Sequence, residues 1–473
     1  MSIGRTSLSL ALSVSLAACG GGGSPSGGTF GNTPTPTAST AACSLSARQD
    51  FAKSVLDEWF LYPSKIDSSV NKANYSTVQG YINAVLGPFF TDIKKAEFTY
   101  ITSIKEENAF INSGSSAGFG FRLGYDSAQN RVFVLETFEG TSALAAGIDR
   151  GAEIVAIGTS PNNLVSVASL MSSGGSDAVV NALGPSTTGT SRVLRVNRNG
   201  TITDITLAKT DYSLDPVSNR YGAQIIDDGG KKVGYLNLRT FIDSADPDLR
   251  AAFATFQAQG VTEVIVDLRY NSGGLVRISE LFGDLLAANK VGQVFSYTTF
   301  RDSKASNNST KVFAAQPQAI AATKIAFITS KGTASASELL ANAFIPYLGV
   351  NTALIGTDTY GKPVGQIPVD KPECDDRMRV VAFRTENANH QGDYFSGLAS
   401  VFPKTCAAAD DITHQLGDPN ESQVKAALDF LAGRACTAIT ASAGQKALSV
   451  APERELFRPK EQTAAQRETP GLF

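Results

Sequence analysis

Between Val233 and Gly356 the chain twice alternates short apolar runs with an amphipathic one, and that pattern restricts the fold more than any other feature of the sequence. VGYLNLRTF reads as a strand, DLRAAFATFQAQ as an amphipathic helix and VTEVIVDLR as a buried strand. KIAFITS, SASELLANAF and TALIG repeat the unit. Parallel strands need a crossover between them, so strand–helix–strand units define a sheet with parallel strands and helices on its faces. A helix at VKAALDFLAG closes this α/β region, which spans 213–436. Residues 437–473 are polar without a clear period and are expected to be a tail without fixed structure.

Two regions of different character precede it. Phe51, Val55, Leu56, Trp59 and Phe60 recur at helical spacing until Pro63, and VQGYINAV forms a second helical stretch, so 43–112 is expected to be a helical domain. Residues 113–212 hold short alternating strands (RVFVLE, EIVAIG, SRVLRVN, ITDITL) between Gly and Asn turns, a β-rich module. The fold class is therefore multidomain α+β. Within the module, Gly118, Phe119, Gly120 and Phe121 precede a strand, and AAGIDRGAEIVAIG follows. Together these resemble the carboxylate-binding loop and the helix-turn-strand of a PDZ domain. Glycines at such a loop let backbone N–H groups converge on a carboxylate while a peptide adds a strand to the sheet edge.

The first 18 residues carry Arg5, the apolar stretch SLSLALSVSL and small residues before Cys19, the pattern of an export signal. Leu16, Ala17, Ala18 and Cys19 resemble a bacterial lipobox, which implies cleavage before Cys19 and lipid on its sulfur. Residues 19–42 are rich in Gly, Ser, Thr and Pro and are expected to be a flexible tether, placing the folded part at a membrane surface in the cell envelope, facing the periplasm. Placement at the outer membrane is by analogy with lipoprotein sorting. Cys43, Cys374, Cys406 and Cys436 then remain for an oxidising compartment. Three pairings are open; the expected one joins Cys43 with Cys436, closing the folded region from its two ends, and Cys374 with Cys406. The cysteines lack the C-x-x-C spacing of a zinc site, and no metal is expected.

Against 44 acidic residues stand 41 basic ones, a net charge of −3 that gives no electrostatic reason to expect nucleic acid as a partner. Only two histidines, His390 and His414, occur, both in polar stretches, so a nucleophile here must find another base. After the strand KIAFITS, Ser335 stands at a strand-to-helix turn in KGTASASE, where unpaired N–H groups and the helix dipole stabilise an oxyanion. Taken alone, a serine there is an ordinary helix cap. After the next strand comes TYGKPVGQ, with Lys362 and Gln366. Consecutive parallel strands are usually neighbours, which brings the two loops to one edge of the sheet. An uncharged lysine is then the candidate base, and lowering its pKa from about 10.4 to near 7 costs roughly 5 kcal/mol, which requires desolvation. Gln366 can supply an orienting oxygen. At the end of VTEVIVDLR, Gly273 and Gly274 can turn an N–H toward a reacting carbonyl, joining that of Ala336.

In this order, DLRYNSGG, GTASASELL and TYGKPVGQ behind a PDZ-like module resemble the carboxyl-terminal processing, or tail-specific, proteases. The resemblance implies a crotonase-like α/β core, a serine nucleophile at Ser335, a lysine base at Lys362, a supporting Gln366 and no cofactor. It implies an endopeptidase acting on polypeptides engaged through the PDZ-like module near their C-termini. Two departures stand out: Pro363 replaces the family's usual glycine after the lysine, and Thr333 replaces its usual serine before Ala334. The alternative is a noncatalytic periplasmic peptide-binding or scaffold protein, against which the intact Ser335, Lys362 and Gln366 argue.

Overall fold

A computed structural model describes residues 39–93, 98–439 and 454–473. The expected export signal, the lipidation candidate Cys19 and nearly all of the tether lie outside the described residues. Helix α1 (Leu45–Trp59) starts where Ser44 Oγ accepts the Ala47 N–H, and its apolar stripe buries Ala52, Val55 and Leu56. Helix α2 (Val78–Val85), capped by Thr77, buries Val78, Tyr81, Ile82 and Val85. These side chains meet Val364, Met378, Val380 and Val381 in one apolar cluster, so the helical region shares its core with a hairpin far along the chain.

The β module is an antiparallel sheet of β1 (Phe121–Asp126), β2 (Arg131–Thr137), β3 (Glu153–Gly158), β4 (Ser191–Arg198) and β5 (Thr201–Ala208), in that order. Alternation along the strands turns Leu123, Val132, Val134, Ile154, Leu194 and Val196 inward, against helix α3 (Val167–Leu183) with its buried Met171, Val179 and Leu183. One edge of β1 pairs with β2. The other edge receives residues 455–456 and 472–473.

The third region carries the expected parallel sheet. Strands β6 (Lys231–Asn237), β7 (Glu263–Asp267), β8 (Lys324–Thr329) and β9 (Thr352–Gly356) lie side by side in sequence order and parallel, with Ala223–Asp228 antiparallel at the β6 edge. Helix α4 (Ala336–Leu348) packs on one face with 245–258 and 276–286, while 422–431 covers the other. Covered on both faces, the strands are continuous apolar runs (Val264–Val266, Ile325–Ile328, Ala353–Ile355). Asp267 pairs with Ile328 and Thr329 with Gly356, so β7, β8 and β9 end nearly level and their loops open at one edge. Beyond β9, β10 (Val364–Lys371) and β11 (Asp376–Glu386) form the long hairpin that meets α1 and α2, and β12 (Thr405–Ala407) adds to the open side of β9.

Two sequence expectations are corrected. The disulfides are Cys43–Cys374 and Cys406–Cys436, each with Cα atoms 5.4 Å apart. Cys374 sits at the turn between β10 and β11, and that hairpin folds onto α1, where Arg48 pairs with Asp376; this brings the turn to Cys43. Cys406 lies in the edge strand β12, beside which the chain returns through the Ala407 N–H to Thr437 O bond. The second correction concerns 437–473: residues 454–473 are ordered, with helix α5 (Ala464–Glu468) and buried Phe457, Ala464, Leu472 and Phe473. Their apolar residues come in adjacent pairs (Leu456–Phe457, Ala464–Ala465, Leu472–Phe473) that suit a sheet edge and a groove belonging to another region, which leaves no period within the segment itself.

Candidate active site

Ser335 ends the β8 loop with φ +56° and ψ −115°, a conformation that costs a non-glycine residue about 1–3 kcal/mol and persists only where its surroundings impose it. Its N–H donates to Glu338 Oε2 at 2.9 Å, and the Ala334 N–H donates to Asn271 O at 3.1 Å, binding the turn to the β7 loop. Gly273 completes the fit. It has φ +113°, and a Cβ there would stand 2.9 Å from Ser335 Cβ and 3.0 Å from Ala336 N, so no other residue fits without displacing the serine.

Lys362 follows β9 and opens into the same cavity of about 480 Å³ as Ser335, Gly274 and Gln366. The residue keeps partial exposure to the cavity, but the protein packed round its amine desolvates it. Burial pulls the amine down to about 8; Glu468 and Glu338 oppose the shift, and Arg379 and Arg458 reinforce it. The Phe98 ring centroid lies 5.5 Å from Nζ. Ser335 and Lys362 line this cavity together, with no hydrogen bond between them.

The remaining predicted residues fall in different places. Gln366 lies on the cavity wall, but its Nε2 donates to Phe98 O and no bond joins it to Lys362. Pro363 leads directly into the hairpin: its carbonyl accepts the Thr385 N–H, and the pairing shifts by one residue at a bulge between Gly365 and Gln366. The Gly273 N–H already donates to Asn271 Oδ1 at 2.9 Å. Gly274 faces the cavity, and the Ala336 N–H, first in α4, has no intrahelical acceptor. Gly118, Phe119, Gly120 and Phe121 lie apart from this cavity, at the β1 edge, where the Gly120 and Phe121 N–H groups converge on Phe473 O at 2.9 and 3.2 Å. Among the described residues no group of three His, Cys, Asp or Glu side chains is placed to hold a metal ion.

Glu338 is the residue that the sequence reading passed over. Fully buried, it accepts from the Thr359 hydroxyl and the Gly361 N–H (2.7 Å) on Oε1, and from the Ser335 N–H (2.9 Å) and the Lys362 N–H (2.7 Å) on Oε2. One carboxylate thus clasps the serine loop to the lysine loop. Burial raises its pKa, and the four donors only partly offset that. The signal was present in Ser335-x-x-Glu338, the spacing at which a glutamate reaches back to the N–H of a helix cap.

The profile of Peptidase family S41 matches residues 232–392, which include all three loops. Over 329 residues the chain is 25% identical to a carboxyl-terminal-processing protease of Picosynechococcus sp., covering 67% of this chain and 71% of that protein. It is 30% identical over 274 residues to the chloroplastic C-terminal processing peptidase of Tetradesmus obliquus, covering 54% of each. A crystal structure from Bacteroides fragilis, solved as a candidate S41 protease, superposes with a TM-score of 0.61 at 24% identity, covering 81% of this chain and 97% of that one. The fold is that of S41 proteases, mixed α/β with several sheets. Residues 232–392 are homologous to this peptidase family, and the relatives named are carboxyl-terminal-processing enzymes.

Proposed function

We propose that the chain is a serine endopeptidase working through Ser335 and Lys362. The observation that carries this reading is a strained serine and a desolvated lysine on one cavity, their loops clasped by Glu338. Ser335 Oγ attacks the peptide carbonyl carbon while Lys362 Nζ, neutral, takes the hydroxyl proton. The negative charge that develops on the carbonyl oxygen is met by the N–H groups of Gly274 and Ala336. As the tetrahedral intermediate collapses, the Lys362 ammonium returns the proton to the leaving amine and the acyl group stays on Ser335. Water then attacks the ester with Lys362 again as base, releasing the acid and restoring the hydroxyl. Gln366 steadies the wall beside Phe98. Polypeptides are the substrates, engaged through a PDZ-like module near their ends, in a protein exported and held at the bacterial envelope by lipid on Cys19.

Purified protein incubated with an unstructured polypeptide tests this against Ser335→Ala and Lys362→Ala. Cleavage should fall at least about a thousandfold in each, as when a nucleophile or its base is removed. The neutral amine is the active form, so kcat/KM should rise with pH through about 8 and then level off. Equal slow cleavage by all three proteins refutes the reading.

A further inference from the structure

Residues 454–473 run along the free edge of β1 as an interrupted strand. Glu455 and Leu456 pair antiparallel with Tyr125 and Gly124. The chain then leaves the edge for residues 458–470 and returns to it further along, again antiparallel. Gly471 O accepts the Leu123 N–H at 2.8 Å, Leu472 pairs with Arg122, and the Phe473 N–H donates to Phe121 O at 3.0 Å. The two halves are joined by the Gly471 N–H to Phe457 O bond, 2.9 Å.

The last residue is anchored at three points. Its carbonyl oxygen takes the Gly120 and Phe121 N–H groups, its ring is 2% exposed among the apolar side chains of the β module, and it meets the Phe457 ring edge-on at 5.9 Å. At Gly118 an added Cβ would stand 2.6 Å from the Phe473 carbonyl carbon, so that position must be glycine for the segment to seat. Main-chain pairing along an edge strand with a terminal side chain in an apolar pocket is how sheet edges capture extended peptides.

The excursion between the paired halves goes to the catalytic cavity. Arg458, Gln462, Arg467 and Glu468 line it together with Ser335 and Lys362. Glu468 O accepts from Ser272 Oγ at 2.6 Å, in the β7 loop, and its carboxylate accepts from Tyr100 Oη at 3.0 Å. A single segment therefore fills the peptide edge and walls the reacting groups.

We infer that residues 454–473 are a resident occupant of the β1 edge, held there as an extended peptide through the Gly-Leu-Phe stretch, so that an incoming polypeptide must displace them to bind this edge and reach Ser335. The gating half of this inference rests on the proteolytic reading above; the binding half does not. Tethered to the same chain, the resident segment competes at high effective concentration. If the edge is free a tenth of the time, an external peptide binds about tenfold more weakly than its intrinsic affinity.

The test uses the full chain carrying Ser335→Ala, so that binding is read without turnover, and a labelled peptide ending Glu-Thr-Pro-Gly-Leu-Phe. Adding Phe473→Asp should tighten peptide binding about tenfold, and the carboxamide form of the peptide should bind more weakly than the free acid. Equal affinity for both proteins, or binding to neither, overturns the inference. Should Phe473→Asp unfold the β module, hydrogen exchange on the Ser335→Ala chain decides. Saturating peptide should raise exchange at Gly471–Phe473, and bound peptide with no such change overturns the assignment of the edge. With Ser335 present, Phe473→Asp should cleave an unstructured polypeptide several-fold faster. Tighter peptide binding with unchanged cleavage overturns the gating and keeps the site, whereas no cleavage by either protein sinks the proteolytic reading and leaves the binding result standing.

Discussion

Glu338 and Glu136 are both buried carboxylates, and they are satisfied in opposite ways. Glu338 is held by three backbone N–H groups and a hydroxyl. Glu136, on the β module, receives Arg239 Nε at 2.7 Å, the Tyr221 hydroxyl at 2.7 Å and Arg122 Nε at 3.2 Å. Burial opposes ionisation at both, but the two guanidinium groups overcome it at Glu136 and hold its pKa down to about 2, whereas neutral donors leave that of Glu338 raised. The difference follows what each one joins. Cations on long side chains can bridge separate regions, as Arg239 from the sheet reaches the β module. Backbone donors fix the path of a loop, which is what a cavity built from two loops needs.

The largest effect expected from breaking this contrast is on stability at the seam. Glu136→Gln leaves Arg122 buried without a carboxylate and Arg239 with Glu139 alone, and removing one partner of a buried pair costs about 3–5 kcal/mol. Denaturant or thermal unfolding should show that loss, with kcat of the remaining folded protein little changed. The acid limb supplies the sign. A carboxylate depressed from 4.5 to about 2 contributes stability above its unfolded pKa and loses it as pH falls from 4.5 toward 2, about 3 kcal/mol in all. In Glu136→Gln the acid limb should be shallower by about that amount, with Glu139 and Asp410, also held low, supplying the rest of the fall; an unchanged curve would mean the seam does not depend on this charge.

Glu338→Gln sharpens the same contrast from the other side. The amide keeps one acceptor oxygen but turns an NH2 toward donors that need an oxygen, so the Ser335 and Lys362 loops lose their common clasp. Misplacement of reacting groups by about 1 Å costs about a hundredfold in rate, or about 2.7 kcal/mol of barrier. The loss should fall on kcat with KM nearly unchanged, because Glu338 lies behind the cavity wall. A KM effect alone would assign it to substrate binding instead.

How far these features were legible in the sequence depends on the range of the forces that set them. The Ser335 and Lys362 loops could be brought together because consecutive strands in such units are neighbours, and the sheet places β7, β8 and β9 side by side. The role of Glu338 was half legible: the cap spacing gave its bond to the Ser335 N–H, but its hold on Thr359, Gly361 and Lys362 needs the second loop in place. The disulfides were misread because Cys43 and Cys374 meet only after the β10–β11 hairpin folds onto α1, a closure that spacing does not encode. Residues 454–473 were misread for a related reason. Phe457, Leu472 and Phe473 are buried by a sheet edge and a groove of the β module, so no local period marks them.

The smallest effect concerns Thr333, one of the two departures from the tail-specific protease pattern. Its hydroxyl donates to Leu268 O at 2.7 Å and accepts the Ser330 N–H at 3.0 Å, while its carbonyl takes the Tyr360 N–H at 2.8 Å, so it ties together the loops after β7, β8 and β9. A serine keeps all three bonds and gives up one buried methyl group, about 1 kcal/mol. Thr333→Ser should therefore lower stability by about that amount and leave kcat/KM within about twofold. Thr333→Val keeps the shape but strands the Ser330 N–H, at about 1–3 kcal/mol for a buried group left unpaired, while the Leu268 carbonyl keeps the Asn271 N–H. If Thr333→Ser proved as damaging as Thr333→Val, the methyl group would count for as much as the hydroxyl in holding the three loops, and the departure from the family's serine would be a matter of packing as well as of hydrogen bonding.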